Sequence, residues 1–213
     1  MTTTTRTDDL TRRLFEWCDG QPWTRGRGRL LAAPVVELAA GEPVDPERIA
    51  ARAGVPVAEA LDFLRSSPAE WDDRGRLVGF GLSLRETRHR FITAGRTLYT
   101  WCGPDALAFP VLLGALARIE SPCFATGEPI TIDVAPDGVR AVAPAGAVVS
   151  IFMRAVQLDD LRERLCNEQH FFVSADAAAA WSKQRPGVTV VPVAEAFEPL
   201  RRLMEHWTAG EGA

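Results

Sequence analysis

The segment Asp105–Arg118 most constrains what this chain can fold into. Between those charged ends, Ala106-Leu-Ala-Phe-Pro-Val-Leu-Leu-Gly-Ala-Leu-Ala117 carries no polar side chain. A helix there has no face suited to water, so the rest of the chain must wrap around it. Pro110 predicts a bend within it. The run falls short of the roughly 18 apolar residues of a membrane span, and no other window approaches that length. The start, Met1-Thr-Thr-Thr-Thr-Arg-Thr-Asp-Asp9, lacks the apolar stretch of a signal peptide. The cytoplasm is the expected address, where thiols stay reduced. A chain of 213 residues has enough core to fold unaided. A net charge of −4 supplies no broad basic field. Neither nucleic acid nor membrane is therefore an expected partner.

Punctuation along the chain predicts an α+β fold with three parts. Residues 1–28 are expected to be a flexible leader ending near the basic, glycine-rich Arg25-Gly-Arg-Gly-Arg29. Residues 29–85 carry three short helical patterns and then strand-like Arg76–Leu84. The second helix starts at Asp45-Pro46-Glu47 and stops at Gly54. Three helices and a hairpin are the outline of a winged-helix-like unit. Its reading helix, about 56–66, offers Glu59 and Asp62 against one Arg65. Phosphate contact needs the opposite balance, so a structural role is expected. Residues 86–213 alternate strands and helices in a mainly antiparallel mixed α/β core. The apolar helix is expected to run to about Arg118, and Ala209–Ala213 to be a frayed tail.

Within that core, Trp101-Cys-Gly-Pro-Asp105 places a thiol where a strand gives way to a helix. Unpaired N–H groups at a helix start favour a thiolate. Asp105 falls in the first turn and can approach the sulfur. It can equally be an acid that helps the helix begin, and the spacing alone leaves both readings open. Cys166, in Leu165-Cys-Asn-Glu-Gln-His170-Phe-Phe, can be core or the edge of a cleft. His170 reads as a hydrogen-bonded core residue, and His89 and His206 as solvated positions. The four cysteines form no CxxC pair, so a zinc ribbon is not expected. HExxH, P-loop, GxGxxG and GxSxG patterns are absent, leaving hydrolase, nucleotide and hydride chemistry unsupported.

From Leu30 to Phe197 the chain resembles the alkylmercury lyases, the organomercurial lyases of bacterial mercury resistance. The resemblance rests on co-linear motifs. They are Gly79-Phe-Gly-Leu-Ser-Leu-Arg-Glu-Thr87, Leu98-Tyr-Thr-Trp-Cys-Gly-Pro-Asp105 with Phe109-Pro110, Cys123-Phe-Ala-Thr-Gly127, Val142-Ala-Pro-Ala-Gly146, and Cys166 ahead of His170-Phe-Phe172. It implies that Cys102, Asp105 and Cys166 are catalytic and that Cys123 is structural. Asn167 stands where family members often carry a second cysteine, and Cys18 has no matched counterpart.

The resemblance also implies a reaction. Two thiolates hold R–Hg⁺, a soft cation that prefers sulfur. Cys166 captures it and Cys102 joins. Asp105 takes a thiol proton and delivers it to carbon. R–H leaves, and Hg(II) remains as bound product on Cys102 and Cys166, beside Asp105. No cofactor is expected, because the metal arrives with the organomercurial substrate. Cellular thiols or mercuric reductase are the expected recipients of Hg(II). Trp101 and Phe109 are candidate pocket residues for the organic group. Two other readings remain: a metal-responsive winged-helix regulator, and an organometal-binding protein that does not cleave.

Overall fold

The computed structural model describes residues 3–209. The frayed tail expected at the C-terminus lies outside them from residue 210 onward. The first difference from expectation is the leader, which forms helix α1, Thr3–Asp19. Leu10, Leu14 and Cys18 recur at helical spacing and are buried. That stripe packs α1 against the last helix.

Helices α2 (Gly28–Leu38), α3 (Pro46–Ala53) and α4 (Val57–Arg65) follow. Helix α3 begins with Pro46 in its first turn and ends at Gly54, which adopts the left-handed conformation at φ +73°. Buried Glu37 on α2 pairs with Arg48 and Arg52 of α3, tying the two helices together.

Next come strands β1 (Glu70–Trp71), β2 (Leu77–Phe80), β3 (Leu82–Ser83), β4 (His89–Thr93) and β5 (Arg96–Thr100). Helix α5 (Gly103–Leu113) leads to β6 (Ala117–Pro122), β7 (Pro129–Ala135), β8 (Gly138–Ala143) and β9 (Val148–Phe152). Short helix α6 (Leu161–Arg164), β10 (Phe171–Phe172), α7 (Ala175–Ser182), β11 (Val188–Pro192) and α8 (Val193–Ala209) complete the chain.

Strands β1 to β8 form one sheet in the order β1-β2-β3-β5-β4-β6-β7-β8, and β10-β9-β11 form a second. Each of these pairings is antiparallel, so the fold is α+β. The hairpin assigned to a winged-helix unit is the edge of the large sheet, not a free wing. Leu82 pairs with Thr100 and Ser83 with Tyr99, so the sheet runs straight across residues 85 and 86.

Helix α5 is central, as its sequence requires, with residues 106–110 all buried. It ends earlier than expected. Gly114 takes the left-handed conformation at φ +59°, and its N–H is capped by the Pro110 and Val111 carbonyls. Ala117 therefore starts a strand instead of finishing the helix. Alternation then sets the inward faces: His89, Phe91 and Thr93 in β4, and Ile130, Ile132 and Val134 in β7. Strand β9, the central strand of the second sheet, is buried at all five positions. Among the described residues, no helix is long and apolar enough to cross a membrane.

Candidate active site

Cys102 caps the N-terminus of α5 in an extended conformation. Its Sγ accepts the Asp105 N–H at 3.5 Å. Its carbonyl accepts the Thr100 hydroxyl at 3.1 Å. Gly103 donates its N–H to the Gln169 carbonyl at 3.2 Å. A Cβ on Gly103 would meet Val149 Cγ2 at 3.0 Å and the Phe171 ring at 3.3 Å, so glycine lets the start of α5 pack closely on the second sheet. Cys166 opens a single 3-10 turn, Cys166–Glu168, and its carbonyl accepts the Gln169 N–H at 3.0 Å. The thiol at the start of α5 is thereby brought to the thiol of the turn that leads into β10. One ligand atom each from Cys102, Asp105 and Cys166 lies within 4.8 Å of the others. Among the described residues this is the one such cluster of three, and two sulfurs with a carboxylate oxygen could hold a soft cation.

Burial dominates the electrostatics. It pushes the Cys102 thiol well above its ordinary range, and the contacts with Cys166 and the Asp105 charge push the same way. The Asp105 N–H opposes the shift without overcoming it. Position at a helix start suggested a thiolate, and burial reverses that expectation. The Asp105 carboxyl is raised from 3.8 to about 6, again by burial, with the Cys102 contact pulling the other way. Its Oδ2 is buried with no hydrogen-bond partner. At neutral pH the resting site is thus a protonated Cys102 beside an ionised Asp105 with one free oxygen.

Asp105 and Cys166 line an apolar cavity of about 120 Å³, whereas Cys102, 1% exposed, is not in its wall. Trp101 and Phe109 are in the cavity wall. Gly81 makes room for both Phe109 and Asp105. At φ +66° it needs no side chain, and a Cβ would sit 2.8 Å from Phe109 Cζ and 3.8 Å from Asp105 Oδ2.

Several residues beyond the expected set belong here. Gln169 accepts the Phe152 N–H on Oε1 at 3.0 Å, which turns its Nε2 toward Cys102 Sγ at 3.9 Å. Leu14, Trp17 and Trp23, from the region read as a leader, also line the cavity. The Leu10, Leu14, Cys18 spacing was a signal for that helix; nothing in the sequence marked Gln169.

The remaining candidates lie elsewhere. His170 is buried and stacks on Phe124 at 3.7 Å, and burial lowers it to about 3. His89 is a correction. It points inward from β4, bonds Ser121 Oγ through Nδ1 at 2.9 Å, and is held neutral by burial, at about 3. His206 is exposed. Cys18 is buried and raised to about 12 by burial. Cys123 is buried outside the cluster, in the turn closed by the Gly127 N–H on its carbonyl at 2.9 Å. All four thiols are free.

Fold and site together define a class: an α+β protein whose buried thiol–carboxyl–thiol group meets an apolar cavity. The family model described as MerB, alkylmercury lyase, matches residues 82–205. The chain is 48% identical over 168 residues to an alkylmercury lyase of Bacillus cereus, covering 78% of this chain and 76% of that one. It is 40% identical over 193 residues to the alkylmercury lyase of Streptomyces lividans, covering 90% and 86%. The chain belongs to the alkylmercury lyase family. The crystal structure of the mercury-bound form of MerB2 shares its fold. That likeness has a TM-score of 0.69 at 20% identity, over 92% of this chain and 98% of that one.

Proposed function

We propose that this protein cleaves the carbon–mercury bond of organomercurials by protonolysis, giving R–H and Hg(II). The observation that carries the reading is the thiol–carboxyl–thiol cluster of Cys102, Asp105 and Cys166 at the wall of an apolar cavity. Cys166 lines the cavity and Cys102 does not. An entering R–Hg⁺, carried in by a cellular thiolate, therefore meets Cys166 first; a Cys166–S–Hg–R bond forms as the bond to the carrier sulfur breaks, and the Cys166 proton leaves with the carrier as its thiol. Mercury then reaches Cys102. Metal coordination makes a thiol a much stronger acid, and Asp105 is the adjacent base with a free oxygen. The Cys102 proton passes to Asp105, and a second S–Hg bond forms. Three-coordinate mercury pushes electron density onto carbon. Asp105 returns its proton to that carbon, and the C–Hg bond breaks with its electron pair going to the new C–H bond. Hydrocarbon leaves, Asp105 is again a carboxylate, and Hg(II) is held by two sulfurs.

The organic group would sit against Trp101 and Phe109. No resident cofactor enters this scheme, because the metal comes with the substrate. Cellular thiols in the cytoplasm, or mercuric reductase, would take the Hg(II). The test is direct. With excess thiol, purified protein should release methane from methylmercury and benzene from phenylmercury. Cys102→Ser should abolish turnover. A Cys102→Ser protein with undiminished turnover would refute the mechanism.

A further inference from the structure

We propose that α1 and the turn after it form the wall that selects the organic group, with Trp17 and Trp23 setting the largest group that reaches Cys166. The inference rests on the organomercurial reading and extends it to a segment outside the residues 82–205 that the family model matches.

Three observations carry it. Leu14, Trp17 and Trp23 face the same cavity as Asp105 and Cys166. The two indoles are fixed in place. Trp17 Nε1 donates to the Arg154 carbonyl at 2.7 Å, and Trp23 Nε1 to the Val156 carbonyl at 3.0 Å. The rings meet edge to face, 6.2 Å apart at 76°. Gln21 Oε1 accepts the Val156 N–H at 3.3 Å, adding a third tie. The segment they grip, 154–156, leads into α6 and then Cys166. The wall and the first thiol are thus parts of one connected unit.

Size then sets the class of group. An apolar cavity of about 150 Å³ holds benzene. The present cavity is about 120 Å³. A cavity of that order would take a small alkyl group or a single ring, and a fused bicyclic ring would press on the indoles in its wall. Rings held by hydrogen bonds at their N–H groups cannot swing aside without leaving those bonds unmade, so the limit is stiff.

The experiment compares kcat/KM for phenylmercury and 1-naphthylmercury. The parent protein should favour phenyl by about 100-fold, the range that steric discrimination in an apolar pocket reaches. Trp17→Ala should narrow that ratio by about tenfold or more, and Trp17→Leu by less. Trp23→Phe keeps a ring but loses the tie to Val156, and should also narrow it. Circular dichroism and urea midpoints identify which variants are folded; Trp17→Leu stands in if Trp17→Ala is not. A ratio within about twofold of the parent in every folded variant overturns the proposal. The same ratio is read by calorimetric binding on an Asp105→Asn background, where no cleavage is required. A shifted binding ratio without cleavage by the parent would sink the lyase reading and leave the wall standing. Cleavage with an unmoved ratio would do the reverse.

Discussion

Asp105→Asn should make this protein more stable and less active, by an amount that depends on pH. The folded protein raises the Asp105 carboxyl from 3.8 to about 6 through burial. Unfolding returns it to about 3.9. At about 1.4 kcal/mol per unit, the folded state above pH 6 carries a charge that costs roughly 2–3 kcal/mol. Near pH 4 only about 0.5 kcal/mol of that cost remains, and below about pH 3 both states are protonated and it is gone. Asparagine keeps the shape without the charge. The variant should therefore exceed the parent by about 2–3 kcal/mol above roughly pH 7, with the gain shrinking to about 0.5 kcal/mol near pH 4. His89 and His170 act with the opposite sign. Burial holds both at about 3, so stability is lost as pH falls below 6.5. That loss is common to both proteins, and the difference between them isolates Asp105. Urea unfolding followed by tryptophan fluorescence, at steps from about pH 7.5 to 4, reads it out at constant m-value. A variant less stable than the parent at the upper end, or a difference that does not vary with pH, would refute the argument. In parallel, loss of the proton carrier should cut turnover by about 10²–10⁴-fold.

Two further outcomes follow from the site's packing. Gly81→Ala forces a side chain into a left-handed position 2.8 Å from Phe109. It should cost about 1–3 kcal/mol in urea unfolding and displace Phe109, lowering cleavage as well. Gln169→Leu leaves the Phe152 N–H without its acceptor and removes the donor beside Cys102 Sγ. It should cost about 1–3 kcal/mol and slow turnover, measured by hydrocarbon release.

Much of the architecture was legible because local signals agreed with burial. The apolar run after Asp105 became the central helix, and the start of the second short helix at Asp45-Pro46 and its stop at Gly54 fell where the sequence put them. The motif around Cys102 and the segment holding Cys166 could be matched in sequence. Their approach could not, because it depends on the start of α5 meeting the segment before β10, Gly103 to Gln169, far apart in sequence. The leader was misread because its polar residues outnumber the Leu10–Leu14–Cys18 stripe that buries it. His89 looked solvated because two arginines flank it, yet strand alternation sends those outward and the ring inward. The protonation of Cys102 needed the burial that only the fold supplies. Gln169 had no signal, since its amide matters only once Phe152 fixes its orientation.

Cys102 hangs from the eight-stranded sheet through β5, and Cys166 from the three-stranded sheet between β9 and β10. An Hg(II) ion held by both would act as a clasp between the sheets. It would close a loop of about 65 residues, and a crosslink over such a length restricts the unfolded chain by about 4 kcal/mol. The enzyme that has just finished a turnover would then be its own most unfolding-resistant form. Thiols that strip the metal to restart the cycle would also undo that reinforcement.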